Sequence, residues 1–225
     1  MKDLNFFKMK DSVYIREVRN KDEVLEGLGK CDGFLIRGSE KVARSIIASL
    51  KDKKFCGARN SVPSKVGAGA PFSSGKVGIY GGDDAFNRRV IESLKIDYLV
   101  SPEANAKFDN LKQRDSGLNH VVAKIAAEKG IKIVIDMREI SRLEETHNSV
   151  PSKLGTKVPF SSGKEKALRL SKVMQNVRVC RKVGCSIGIA SLGRRKGEVV
   201  DEKGRKSFGV TLGMSSGEVR DCCSF

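Results

Sequence analysis

The chain has 225 residues, of which 43 are Lys or Arg and 27 are Asp or Glu, giving a formal charge of +16. With 39% hydrophobic and 31% charged residues it suits one globular domain or two small ones, and it reads neither as a disordered tail nor as a membrane protein. No apolar run approaches the ~20 residues needed to span a bilayer, and the N-terminus MKDLNFFKMKDSVYIREV mixes acids into its first residues, unlike a secretory signal, so a cytoplasmic protein is expected.

In chain order, short β-rich runs alternate with longer amphipathic stretches. Phe34 to Ile36 reads as a strand ending at Arg37-Gly38, and Val42, Ile46, Ile47 and Leu50 then recur at helical spacing over residues 40–50. Val77 to Tyr80 is the next strand, followed by a turn at Gly81-Gly82-Asp83-Asp84 and a helix with Phe86, Val90, Ile91 and Leu94 on one face. Tyr98 to Val100 is a strand. Ser116 precedes a helix carrying Val121, Val122, Ile125 and Ala126 that stops near Gly130, and Ile131 to Ile135 is a strand of the buried parallel kind. Ala167 to Val183 supplies a helix with Leu170, Val173, Met174 and Val177 on one face. Ser186 to Ala190 reads as a short strand and Phe208 to Leu212 as a last one; Ser215 and Glu218 have capping-box spacing for a terminal helix. Repeated βα units imply a parallel sheet covered by helices, closed or open, and no GxGxxG follows the first strand.

One segment occurs twice. Asn60 to Lys76 (NSVPSKVGAGAPFSSGK) and Asn148 to Lys164 (NSVPSKLGTKVPFSSGK) agree at 13 of 17 positions, 88 residues apart, with unmatched flanks. Solenoid repeats are contiguous and fill the chain, so this is not a repeat architecture. Both copies combine Pro, Gly, Ser and Lys without an acid, which predicts surface loops inserted at 60–76 and 148–164 of a single domain spanning 1–225. PFSSGK resembles a phosphate-binding loop only superficially: five residues separate Gly69 from Gly75, and Val77 or Glu165 stands where a hydroxyl is required. Six cysteines at 31, 56, 180, 185, 222 and 223 form no CxxC pair, and two histidines, His120 and His147, are too few to complete a zinc cluster with them.

The string VGIYGGDDAFNRRVIESLKIDYLVSPE at 77–103 and RDSGLNHVVAKIAAEKGIKIVIDMREI at 114–140 resemble the archaeal ribonuclease P protein component 3 family, relatives of the eukaryotic p30 subunit. The matching features are Gly81-Gly82-Asp83 with Asn87-Arg88, Ile96-Asp97, Pro102-Glu103, Asp115-Ser116-Gly117 with His120, and Arg138-Glu139. KALRLSKVMQNVRVCRKVGCSIGI, with Asn176, Arg181 and Lys182, and Leu212-Gly213-Met214 continue it, so the similarity runs from about Cys31 to Val219. Ala190-Ser191-Leu192-Gly193 departs from the Ser-Gly-Ala-like turn such proteins usually carry. The resemblance implies an α/β fold, a TIM-like (β/α) barrel, regular or irregular, with two loop insertions. It implies a noncatalytic subunit of ribonuclease P that binds the catalytic RNA beside a small companion protein subunit and meets precursor tRNA indirectly. The RNA then removes 5′ leaders, with Mg²⁺ at the RNA active site, no cofactor on the protein and no membrane contact.

Charge agrees with such a partner. Residues 165–206 hold twelve Lys or Arg and four Asp or Glu, and removing both repeat copies still leaves +11. Arg178, Arg181, Lys182, Arg194, Arg195, Lys196, Arg205 and Lys206, together with Arg88 and Arg138 beside the family motifs, are the candidate phosphate contacts. Ion pairs with Asp83 or Glu139 are the competing reading for Arg88 and Arg138, as an Asp115 pair is for Arg114. Aromatics make up only 6% of the chain, so shape and phosphate recognition fit better than base stacking. The alternative is a metal-dependent barrel hydrolase or phosphoesterase with ligands drawn from Asp83, Asp84, Asp97, Glu103, Asp115, His120, Asp136 and Glu139, since barrel active sites lie at strand C-termini.

Overall fold

The computed structural model describes residues 3–6, 12–28, 30–56, 75–104, 115–140 and 161–225. Seven strands stand side by side in chain order, every neighbouring pair parallel: β1 (Asp3–Asn5), β2 (Ser12–Val18), β3 (Gly33–Ile36), β4 (Lys76–Tyr80), β5 (Tyr98–Val100), β6 (Lys132–Asp136) and β7 (Ile187–Ala190). Two backbone bonds carry the last edge back to the first. Leu192 N–H donates to Leu4 C=O at 3.0 Å and Phe6 N–H to Gly193 C=O at 3.1 Å. The result is a nearly closed TIM-like barrel with helices around it. Outside run α1 (Lys21–Gly27), α2 (Glu40–Cys56), α3 (Asp84–Ser93), α4 (His120–Glu128), α5 (Ser161–Val183), α6 (Glu202–Thr211) and α7 (Ser216–Asp221), with a 3₁₀ turn at Lys196–Glu198.

Strand alternation divides the core into shells. Ile15, Leu35, Tyr80, Tyr98, Val100, Val134 and Ala190 pack inside the barrel, whereas Phe34, Ile36, Ile79, Leu99 and Ile133 face outward onto the helices. Glycine makes room where the interior narrows: a Cβ at Gly188 would stand 2.7 Å from the Phe225 ring, which fills the end where the strands begin. Lys132 closes the same end, donating to Ser224 C=O at 2.6 Å.

The expected βα units are present, with three corrections. Residues 208–211 belong to helix α6 and Leu212 is its C-cap; the helix is capped by Asp201 and buries Arg205 and Gly209, Phe208 and Leu212 are one helical turn apart, joined by a 3.0 Å backbone bond, and the turn periodicity overrides the β-branched Val-Thr pair. Helix α4 is capped by Asn119 and buries Val122, Ala123 and Ala126, leaving Val121 56% exposed. The sequence also concealed β1, β2 and α1, because the N-terminal strands mix polar residues into both faces. Most of each repeat copy lies outside the described residues; Lys76 opens β4, and 161–164 form the first turn of α5.

Candidate functional site at the barrel mouth

The loops at the strand C-termini are tied together by one buried side chain. Asn87, on α3, accepts from Gly82 N–H at 2.8 Å and donates through Nδ2 to Gly82, Pro102 and Gly117 C=O at 3.3, 3.2 and 2.7 Å. Gly117 sits at φ +70° with Pro102 O only 1.9 Å from where a Cβ would be. Asp83 caps α3 by accepting from Phe86 N–H at 2.7 Å. The Gly-Gly-Asp, Asn, Pro-Glu and Asp-Ser-Gly motifs therefore build the mouth.

What they frame is an arginine–carboxylate network. Inward alternation along β6 brings Asp136 to the mouth, where its Oδ2 accepts from Tyr80 Oη at 3.2 Å. Arg138 Nη2 donates to the same hydroxyl oxygen at 3.3 Å and lies 3.9 Å from both Asp136 and Glu139. Arg37 stacks on Tyr80, 3.9 Å from the ring centroid, and pairs with Glu17 at 3.1 Å. Arg169, reaching in from α5, donates to Glu139 C=O at 3.3 Å and stands 3.8 Å from Glu103. At the rim, Arg194 meets Glu17 at 2.6 Å, and the Phe6 ring lies beneath both Arg138 and Arg194, 5.1 and 5.8 Å away.

Burial sets the protonation of these groups. It pushes Asp136 up to about 7, with Glu139 adding to the rise and Arg138 opposing it. Glu103 is raised for the same reason against the pull of Arg169. At Glu17 burial acts upward too, but the Arg194 hydrogen bond and the charges of Arg37 and Arg194 together outweigh it and hold the carboxyl below its ordinary value.

The basic residues singled out in the sequence do not form one patch. Each βα unit reverses direction, so Arg178, Arg181 and Lys182 near the end of α5 lie where β7 begins, and Arg194, Arg195 and Lys196 lie beyond where it ends. Arg181 is engaged by Glu218 at 2.9 and 3.1 Å, and Lys206 by Glu202 at 2.6 Å. Arg88 pairs with Glu92 at 2.8 Å rather than with Asp83. Arg205 is only 3% exposed, held by Asp3 at 3.0 Å and Ile189 C=O at 3.3 Å, so it clamps the barrel seam with its guanidinium buried instead of presented to solvent. Arg114 lies outside the described residues. Arg37 was open to detection as the residue following an inward–outward strand run; Arg169, one polar residue on a long helix, carried no comparable signal.

Of the alternative metal ligands, Glu103, Asp136 and Glu139 do gather at the mouth, but guanidinium groups lie among them. Asp84 accepts from Asn119, Asp115 accepts from Gly117 N–H, His120 is exposed, and Asp97 binds Val77 N–H at the opposite end. Among the described residues, no three His, Cys, Asp or Glu side chains are grouped so as to hold a metal ion.

Comparison with known proteins gives this framework a family context. A segment of 113 residues, 50% of this chain, is 31% identical to Ribonuclease P protein component 3 of Methanosarcina acetivorans. In sequence, part of this chain is similar to part of ribonuclease P protein component 3. Segments of 62 and 59 residues are 40% and 36% identical to component 3 of Methanosarcina mazei and Methanococcoides burtonii. These matches cover 36%, 23% and 21% of the three proteins' own lengths. No family model matches the chain. In fold, the chain is similar to one in the cryo-EM structure of archaeal ribonuclease P with mature tRNA, at TM-score 0.56 and 17% identity over 99% of this chain and 86% of that one. The same barrel recurs, at TM-score 0.52 and 13% identity over 92% of this chain and 42% of the other, in A. niger ochratoxinase.

Proposed function

We propose that this chain is a protein subunit of an archaeal-type ribonuclease P, binding the catalytic RNA and supporting removal of 5′ leaders from precursor tRNA. The observation that carries this reading is the sequence similarity to component 3 proteins from three methanogens. The protein contributes no catalytic residue on this reading; RNA performs the cleavage with Mg²⁺ bound in its own site, and a small companion protein subunit completes the assembly in the cytoplasm. No described helix is long and apolar enough to cross a membrane.

The mouth supports the reading electrostatically. Arg194, Arg195 and Lys196 are exposed beside it, and each phosphate they neutralise releases condensed counterions. On this reading their side faces the RNA; Arg194 is held by Glu17 as Arg181 is by Glu218, so the difference between the two ends rests on Arg195 and Lys196. Binding to the catalytic RNA across a salt series tests this. Reversing Arg194, Arg195 and Lys196 to Glu should flatten the salt slope by about one for each lost contact, and reversing Arg178, Arg181 and Lys182 should change it less. Equal effects at both ends would remove the mouth as the RNA-facing side, and no RNA binding by the native chain would remove the reading.

A further inference from the structure

Strands β1 and β2 separate at the mouth. β1 pairs with β2 only as far as Asn5 opposite Tyr14, whereas β2 runs on against β3 to Val18, and Phe6 turns to bond with Gly193 on the other side. The separation leaves a cleft of about 430 Å³ in the barrel wall. Alternation brings residues from both faces of β2 to it, Arg16 from the outer face and Glu17 from the inner, with Phe6, Arg19 and Arg194 completing the lining. Its accessible groups are guanidiniums: the side chains of Arg16, Arg19 and Arg194 are 31, 66 and 47% exposed, against 11% for Glu17. The second carboxylate, Glu23, is turned to the start of α1, where it accepts from Arg19 N–H at 2.7 Å and Asn20 Nδ2 at 3.0 Å.

Each of the three arginines pairs through Nη2, Arg16 with Glu26 at 2.9 Å and Arg19 and Arg194 with Glu17 at 3.4 and 2.6 Å. A guanidinium carries five N–H donors, so a phosphate can be bound without breaking these pairs. The Phe6 ring, with the Arg194 guanidinium 5.8 Å from its centroid, gives the flat surface against which one base packs. The cleft lies at the lower end of the about 300–1,000 Å³ of ligand pockets, more than a phosphate ion needs and too little for a duplex. From Arg194 the exposed Arg195 and Lys196 continue the basic rim, where the next phosphates of a strand would pass. We propose that this cleft takes one unpaired nucleotide of an RNA strand, its phosphate on Arg16 and Arg19 and its base against Phe6 and Arg194. The site rests on the ribonuclease P reading only for which RNA supplies the strand.

The full chain is titrated by fluorescence anisotropy against a labelled single-stranded uridine hexamer and, separately, against the catalytic RNA. R16Q/R19Q should weaken hexamer binding at least about tenfold, and F6L, which keeps apolar volume without the ring, at least about fivefold. K41Q/K124Q, the same charge change on exposed positions of α2 and α4, should alter it by less than about twofold. A 4-thiouridine in the hexamer should cross-link the native chain at Phe6, Tyr14 or Arg16, a readout that survives a variant's failure to fold. Free UMP should compete at least about tenfold more weakly than unlabelled hexamer. Native affinity in R16Q/R19Q and F6L, an equal loss in K41Q/K124Q, cross-links only outside the cleft, or no hexamer binding by the native chain overturns the proposal. UMP competing as well as the hexamer overturns the strand as occupant. Binding of the catalytic RNA with any of these outcomes keeps the ribonuclease P reading, whereas hexamer binding through the cleft in a chain that fails to bind catalytic RNA keeps the site and refutes that reading.

Discussion

Replacing Asn87 with Ala removes the side chain that joins three loops of the barrel mouth. Its amide makes four hydrogen bonds to backbone groups of Gly82, Pro102 and Gly117, and the residue is fully buried. With two amide hydrogens shared among three carbonyls and one bond accepted, about three full bonds are lost, and at about 1 kcal/mol net for each the cost amounts to about 3 kcal/mol, a large part of the about 5–15 kcal/mol by which domains are usually stable. Urea unfolding at fixed pH should show the midpoint lowered at unchanged slope. Asn87→Asp separates bonding from packing: it preserves shape and the acceptor for Gly82 N–H, but turns a carboxylate oxygen toward three carbonyl oxygens. The aspartate is therefore expected to be at least as unstable as the alanine. A loss below about 1 kcal/mol in N87A, or a near-native N87D, would refute the hub.

Further expectations concern the seam, the motif turn and the buried acid. Arg205→Ala leaves Asp3 buried without its cation and should cost about 3–5 kcal/mol in the same unfolding assay, against a negligible change for Arg178→Ala on the surface. Gly117→Ala should fail to give a cooperative melt or lower it steeply, because the new methyl meets Pro102 O at 1.9 Å in addition to the strain at φ +70°. The folded-state pKa of Asp136, about 7, lies above the ordinary 3.8, so its stabilising protonation is fully present below that ordinary value and is lost as pH rises through about 7. Unfolding free energy measured between pH 5 and 8, a window chosen around that value, should decline with a contribution of up to about 1.4 kcal/mol per pH unit from this proton, and Asp136→Asn should remove that contribution. An identical pH profile in D136N would refute the assignment.

The helices and strands from Phe34 to Ala190 were legible because their apolar residues keep period 3.6 or form short β-rich runs. Asp136 is a case where pattern reaches the site: alternation from Val134 carries it inward at the strand end. The motif residues were visible but their work was not, since only three-dimensional closure shows that Asn87 bonds to residues 15 and 30 positions away. The basic stretch at 165–206 was legible in composition but not in placement. A helix end and a Gly-punctuated loop are visible there, but not that the βα reversal places them at opposite ends of the barrel, nor that Arg205 turns inward to Asp3. Residues 208–212 show local β preference yielding to the burial of Arg205, Gly209 and Leu212 on one helical face.

Precursor-tRNA cleavage at limiting Mg²⁺, with the cognate catalytic RNA, the companion protein subunit and this chain combined and omitted in turn, tests the central claim most directly. This chain should stimulate 5′ leader removal only when the catalytic RNA is present, and the Arg194, Arg195 and Lys196 reversal should weaken the stimulation. Cleavage by the purified protein without that RNA, abolished by Asp136 and Glu139 substitutions, would contradict it and identify a metal-dependent nuclease instead.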